Sequence, residues 1–253
     1  MLKLEDYHIT IGNATDIGQI RAQNEDYMAH FDTPLGYCII VCDGMGGHIA
    51  GHIASQTSVI AIQHYLQDSH NETPEIPQVI KNAIEFANFQ IKELIKQKPS
   101  LKGMGTTCVL ALIKNGQLYT AHAGDSRIYL IRNKSIQQIT KDHSSVQQLI
   151  DDGILTQEEA AKSVIKNQIV KAIGVFENVL PDVLEKPIEL RKNDKILLCS
   201  DGLTDNVSEE MIAETIQSIE DAQITSLELI KLANKNGGSD NITVQIVQYM
   251  GNT

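Results

Sequence analysis

The chain has 253 residues, of which 42% are hydrophobic, and a formal net charge of −11. That length is enough to bury a substantial core, and the acidity, with no long basic block, argues against a general nucleic-acid binder. No run approaches the ~20 apolar residues of a membrane span, and the opening MLKLEDYHIT carries early acids and no apolar leader segment, so a cytoplasmic protein without a membrane partner is expected.

In chain order, the first strong strand signal is YCIIVC, which runs into Asp43 and the glycine-rich DGMGG. AGHIASQTSVIAIQHYLQ repeats apolar residues at helical spacing, and DSHNETPE reads as a loop. IPQVIKNAIEFANFQIKELIKQ is a second helix, with Val79, Ile80, Ala83, Ile84, Ala87, Ile91, Leu94 and Ile95 on one stripe and Pro99 as its stop. TCVLALIK and QLYTAHA flank Asn115-Gly116, a strong hairpin signal. RIYLIR follows as a further strand. From Asp142 to about Gly174 the chain turns polar and helical in pattern, with Thr156 and Glu159 as a capping box. Composition leaves a mobile flap and an ordinary surface helix pair both open for this insertion. DKILLCS reads as a strand, helices are expected near 208–218 and 225–235 with Thr225 and Glu228 as a second capping box, and NITVQIVQY is the last strand.

Hairpin-linked strands with paired helices argue for an α+β fold of antiparallel sheets covered by helices rather than regular βαβ alternation. No repeat or linker interrupts it, so residues 1–253 are expected to form one domain. The four cysteines, Cys38, Cys42, Cys108 and Cys199, sit in apolar runs without a C-x-x-C pair and read as small core residues in a reducing compartment.

The recurring feature is an aspartate beside a strand: Asp43 in DGMGG, Asp125 in GDSR, Asp201 in SDGLTD and Asp240 in GGSDNIT, with Glu25 and Asp26 in RAQNED. Carboxylates brought together repel unless cations join them, and hard divalent ions such as Mg²⁺ and Mn²⁺ prefer oxygen ligands. Spacing alone leaves a shared cation site and a set of ordinary Asp-Gly turns both open.

TDIGQIRAQNED, DGMGGHIAG, GMGTT, AGDSRIY, DHS, SDGLTD and GGSDNIT occur in the order seen in metal-dependent protein phosphatases of the 2C type, from about Thr15 to Val247, and the chain resembles a bacterial stand-alone catalytic domain of that family. The resemblance implies a four-layer α-β-β-α sandwich of two antiparallel sheets flanked by helix pairs, with a flap over about 142–174. It implies that Asp43 bridges two Mn²⁺ or Mg²⁺ ions, that the Gly44 carbonyl binds one, and that Asp201 and Asp240 complete the other. Asp125 with Asp201 would hold a weaker third ion. Arg21 would grip the phosphate, Glu25 and Asp26 would act through bound waters, and Asp205 would support them from behind. The implied reaction is direct attack on the phosphoryl group by a hydroxide bridging the metals, without a phosphoenzyme.

By the same resemblance the substrates are phosphorylated Ser/Thr proteins, with a Ser/Thr kinase as counterpart; the sequence leaves the oligomeric state open, with a monomer as the default. Met45 stands where several relatives carry histidine as general acid, which leaves a bound water or His48 as proton donor. Lys171 stands where relatives commonly carry arginine. The rival from another class is an inactive family member used as a regulatory binding module, which the intact aspartates and Arg21 disfavour. His48 and His52 in HIAGH suit zinc by spacing but lack the glutamate of the metalloprotease motif, so a zinc site is not expected.

Overall fold

The computed structural model describes residues 7–46, 49–69, 75–161 and 163–251. The strand β3 (Gly36–Cys42) is buried at every position. Because alternate side chains of a strand point to opposite faces, an uninterrupted apolar run needs cover on both sides. Cys38, Ile40 and Cys42 face a core built with α1 (Ile49–Gln67) and α2 (Ile76–Gln97). Ile39 and Val41 face the opposite way, into a core shared with a second sheet.

β3 lies in a six-stranded sheet with β2 (Tyr27–Thr33), β6 (Cys108–Lys114), β7 (Gln117–Ala123), β10 (Asp182–Val183) and β11 (Ile188–Glu189). The other sheet runs β1-β13-β12-β8-β9, with β1 (Ile9–Asp16), β8 (Arg127–Arg132), β9 (Ser135–Gln138), β12 (Lys195–Cys199) and β13 (Ile242–Tyr249). Among the described residues the strand pairings are antiparallel, as in Ile40↔Leu110 and Leu197↔Ile246. The outer face of the second sheet packs Leu197, Cys199, Val244 and Ile246 against α6 (Glu209–Ser218) and α7 (Ala222–Lys235). Three apolar cores between four layers make the expected α-β-β-α sandwich. A short pair, β4 (Gly44–Met45) with β5 (Gly105–Thr106), sits outside both sheets.

The hairpin at Asn115-Gly116 is present, with both residues at positive φ (51° and 73°) as that tight turn requires. The capping box at Thr156 is also present: Glu159 Oε2 accepts from Thr156 N at 2.8 Å, and Thr156 Oγ1 accepts from Glu159 N. The one at Thr225 is not. Asp221 caps α7, its carboxylate accepting from Ile224 N at 2.8 Å, and Thr225 is buried inside the helix. A side-chain oxygen one turn earlier outcompeted it. Among its described residues the insertion is less helical than expected: it has α3 (Ser145–Asp151) and α4 (Gln157–Ala161), separated by a turn at Gly153 with φ 70°. The expected loop DSHNETPE falls largely outside the described residues.

Strand β1 escaped the sequence reading because Gly12 and Asn13 break its alternation. The glycine is required by contact: a Cβ there would come within 2.1 Å of the Ala222 backbone at the start of α7.

Ile39 lies between the sheets and Ile20 is 73% exposed. Ile39→Ala should cost about 2–5 kcal/mol in denaturant unfolding, and Ile20→Ala should stay within about 0.5 kcal/mol. Similar losses at both would contradict the placement of the inter-sheet core.

Candidate functional site

Asp43 follows the last residue of β3, and Asp201 opens the short helix α5 (Asp201–Thr204) just past β12. Asp125 lies in the turn between β7 and β8, Asp240 just before β13, and Asp26 immediately before β2. These termini come from both sheets and converge. Burial is the main reason the Asp43 carboxyl is held well above the usual range, and Asp26, Asp201, Asp125 and Asp240 all add to it. Asp201 is raised in the same way, by burial and then by Asp125, Asp240, Asp205 and Asp26. Burial, with Asp142 and Asp205 nearby, lifts Asp125 to about 7, against the opposing pull of Arg127. Burial lifts Asp26 to about 6, although the Thr243 and Ser200 hydroxyls oppose it.

The Oδ1 atoms of Asp26, Asp125 and Asp201 are buried and make no hydrogen bond. Buried acceptors are normally paired, and clustered carboxylates cannot all ionise unaided. An all-oxygen donor set of this kind fits a hard divalent cation.

Neutral groups hold the acids in place. Asp43 O accepts from Thr107 N and Thr106 Oγ1, each at 2.8 Å, and Asp43 N donates to Thr107 Oγ1 at 3.0 Å. Thus the GMGTT motif is the cradle of the DGMGG loop. Gly44 admits no side chain, since a Cβ would lie 2.2 Å from Gly51 O and 2.5 Å from Glu25 O. Asn241 Oδ1 accepts from Glu25 N at 2.8 Å, and its Nδ2 donates to the Ile17 and Gln23 carbonyls, each at 2.9 Å. That one amide fastens the segment 17–25 to the start of β13. Ser200 Oγ donates to Asp26 Oδ2 at 2.8 Å. Asn241, Thr106, Thr107 and Ser200 were not singled out from the sequence. They lie inside the motifs, but only the fold shows which backbone each one holds.

Arg21 Nη2 contacts Asp240 Oδ2 at 2.5 Å, with the arginine side chain half exposed. Glu25 is buried, and a Cβ at Gly51 would meet its Oε2 at 1.8 Å. Asp205 pairs with Lys166 of the insertion at 2.8 Å, a contact that no short-range sequence pattern marks. Arg127 holds Asp142 through Nε and Nη2, the latter at 2.7 Å, which joins the GDSR and DHS motifs. Met45 lies in β4; His48, the alternative proton donor and half of the zinc spacing, lies outside the described residues. A cleft of about 320 Å³ opens between the insertion and Asp125, Asp201 and Asp205.

A second set, His122, His143 and Asp182, brings ligand atoms within 4.8 Å of one another. Its hydrogen bonds close without a cation. His122 Nε2 lies 2.8 Å from the Lys141 carbonyl, and His143 Nδ1 accepts from Gly124 N. The His143 proton therefore sits on Nε2, 3.3 Å from Asp182 Oδ1, which also accepts from Lys171 Nζ at 2.6 Å. Burial, with His122 and Lys171 beside it, pushes the His143 pKa down to about 4. Lys171 is thus occupied in tying the insertion's stem to β10.

Residues 19–229 match the family described as Protein phosphatase 2C. The chain is 41% identical over 236 residues to the protein phosphatase PhpP of Streptococcus pneumoniae, covering 92% of this chain and 94% of that one. The structure of the S. agalactiae serine/threonine phosphatase superimposes with a TM-score of 0.88 at 39% identity, over 94% of this chain and 98% of that one. The catalytic domain of the serine/threonine phosphatase PstP, in complex with two manganese ions, superimposes with a TM-score of 0.83 at 36% identity, over 95% and 97%.

In cation-free buffer, an acid whose folded pKa is raised stabilises the fold fully below its unfolded value of about 4, and that contribution is lost as pH rises through the folded value. For Asp125 the window runs from about 4 to about 7. With chelator present, Asp125→Asn should therefore match wild type near pH 4 and exceed it by on the order of 4 kcal/mol near pH 8. Equal stability of the two at the higher pH would show that Asp125 is not strained.

Proposed function

The chain belongs to the protein phosphatase 2C family and is a serine/threonine protein phosphatase, and we propose that residues 1–253 act as one catalytic unit whose reaction centre is the carboxylate group around Asp43 and Asp201. The observation that carries this reading is the set of buried, unpartnered oxygens on Asp26, Asp125 and Asp201. Asp43, the Gly44 carbonyl, Asp201 and Asp240 would hold a pair of divalent cations, Mn²⁺ or Mg²⁺, and Asp125 with Asp201 a weaker third. Bound there, such ions supply Lewis acidity, neutralising phosphoryl charge and making water a stronger nucleophile at neutral pH.

The chain's own groups do the rest. Arg21 sits at the half-exposed edge, and its guanidinium, shared with Asp240, suits a two-point contact to phosphate oxygens. Asp26, oriented by Ser200, would accept a hydrogen bond from a cation-bound water through its unpartnered Oδ1. Glu25 positions the Gly44 carbonyl, since Gly44 N donates to Glu25 O at 3.2 Å. Asp205 stands behind Asp201 and Asp125, and its charge pushes the pKa of both upward. Cys42 and Cys199 are fully buried, and burial lifts their thiols, that of Cys199 to about 12. A protonated buried thiol is a poor nucleophile, which favours direct transfer to water over a phosphocysteine.

Hydrolysis of phosphoserine and phosphothreonine peptides should require Mn²⁺ or Mg²⁺ and stop with chelator. Asp201→Asn should lose at least about 10³-fold in kcat, since one carboxylate serves two cation positions. Arg21→Ala should raise KM more than it lowers kcat. Full turnover in metal-stripped buffer, or by Asp201→Asn, would refute the assignment.

Asp125→Ala should keep the fold. It should lose more turnover on phosphopeptides, whose alkoxide leaving group needs a proton, than on p-nitrophenyl phosphate, whose phenolate does not. Unchanged rates on both substrates would remove Asp125 from the site.

A further inference from the structure

The insertion from Asp142 to Gly174 is fastened firmly at its stem and barely at its tip. At the stem, His143 N donates to Gly124 O at 3.0 Å and Val170 N to His143 O at 2.8 Å. Ile173 and Thr106 exchange two backbone hydrogen bonds, each 2.9 Å. Beyond the stem, Val146 and Ala160 are the buried hydrophobic residues among those described, and neither belongs to the three main cores. Val164 is fully exposed and Ile154 is 63% exposed. Among the described residues, two ion pairs leave the stretch 145–167. Asp151 meets Lys141, which lies beside the insertion's own root. Lys166 meets Asp205, on the far wall of the cleft.

That second contact is placed where it matters. The cleft has Asp125, Asp201 and Asp205 on one wall and Val146, Ile150 and Lys166 on the other. The other cation lining it, Arg127, is taken up by Asp142 and the Tyr129 hydroxyl. The Lys166 ammonium is therefore the available positive charge facing an acidic wall, and it closes the insertion onto that wall.

We propose that Lys166 is a positioning residue whose ion pair with Asp205 latches the insertion over the reaction centre, and that a divalent cation entering between Asp125 and Asp201 loosens the latch. The second half rests on the cation-binding reading above. The physical cause is competition for one field. The ammonium lowers the negative potential that draws a cation in, and the cation, once in, repels the ammonium and satisfies the carboxylates that attracted it. Linkage makes the effect reciprocal: whatever opens the latch tightens cation binding by the same factor. A partly exposed ion pair is weak and salt-sensitive, so a modest change in the local field is enough to open it.

The test uses the whole chain, with wild type, Lys166→Ala and Lys166→Arg. Hydrogen exchange of the backbone over 145–167 is followed in chelator and across a Mn²⁺ titration, with Mn²⁺ binding measured by calorimetry. In chelator, Lys166→Ala should exchange about two- to fivefold faster over 145–167 than wild type, without change in the sandwich strands, and Lys166→Arg should resemble wild type. Wild type in about 1 M salt should resemble Lys166→Ala. Mn²⁺ should speed exchange over 145–167 in wild type but not in Lys166→Ala, which should bind the weaker Mn²⁺ about two- to fivefold more tightly. Identical exchange of wild type and Lys166→Ala in chelator would overturn the latch. A latch present but unmoved by bound Mn²⁺ would overturn the coupling. If neither protein bound Mn²⁺, the cation reading and the coupling would fall together, while exchange in chelator would still decide the latch.

Discussion

The structure is organised around an electrostatic conflict. Asp125 and Asp26 are buried and Asp43 and Asp201 half-buried, the charges of Asp26, Asp125 and Asp201 all raise the proton affinity of Asp43, and those three each present an oxygen with no hydrogen-bond partner. A single buried, unpaired carboxylate is already costly. A group of them persists only where the surrounding scaffold over-determines its position. The sandwich supplies that scaffold. β3 and β12 are fully or nearly fully buried and belong to different sheets, and the core between the sheets fixes one against the other. An aspartate placed at the end of each strand is therefore held by the whole apolar interior, not by its local loop.

The loops that carry the acids are in turn pinned by neutral hydrogen bonds rather than by counter-charges. Thr106 and Thr107 hold the backbone of Asp43, Asn241 holds Glu25 and the segment before it, and Ser200 holds Asp26. Lysines or arginines in those places would have relieved the repulsion and filled the site. The basic groups that do come near are kept at the rim or occupied elsewhere: Arg21 is half exposed, and Arg127 is bound to Asp142. Glycine serves the same end sterically. At Gly44 and Gly51 the chains approach so closely that a single methyl would displace either the Glu25 carboxylate or the turn beside Asp43.

Much of this was legible in the sequence, for physical reasons that also mark where legibility ends. Apolar runs broken by Asp-Gly announced β3 and β12 because a strand buried on both faces has no polar alternation to disguise it. Asn115-Gly116 announced its hairpin because few other pairs tolerate both positive φ angles. Strand β1 stayed hidden because its sequence answers to the close approach of α7 at Gly12 rather than to alternation. The capping box at Thr225 misled because it weighed one local pair without asking whether Asp221 capped the helix a turn earlier. The order of motifs resembled a known arrangement and so pointed to the acids together, and Asp43, Asp201, Asp125, Asp240 and Asp26 do lie within each other's field. The contacts that fasten them, Asn241 to Glu25 and Lys166 to Asp205, link residues 216 and 39 positions apart, and no short pattern encodes such distances.

The insertion follows from the same conflict. Its stem is tied to the two loops that flank the acids: His143 bonds Gly124, the residue before Asp125, and Ile173 pairs with Thr106, whose hydroxyl holds Asp43. The stem thus meets the two loops that carry Asp43 and Asp125 through hydrogen bonds of under 3.2 Å. Among the described residues the tip has no comparable anchorage, and the charge it meets is that of Asp205, which on the cation-binding reading belongs to the set the site leaves unbalanced. A fold that satisfied every carboxylate from within would be more stable and would leave nothing for a cation to do. On the cation-binding reading, leaving them unsatisfied and meeting the insertion with one weak ion pair would keep the site both receptive and covered.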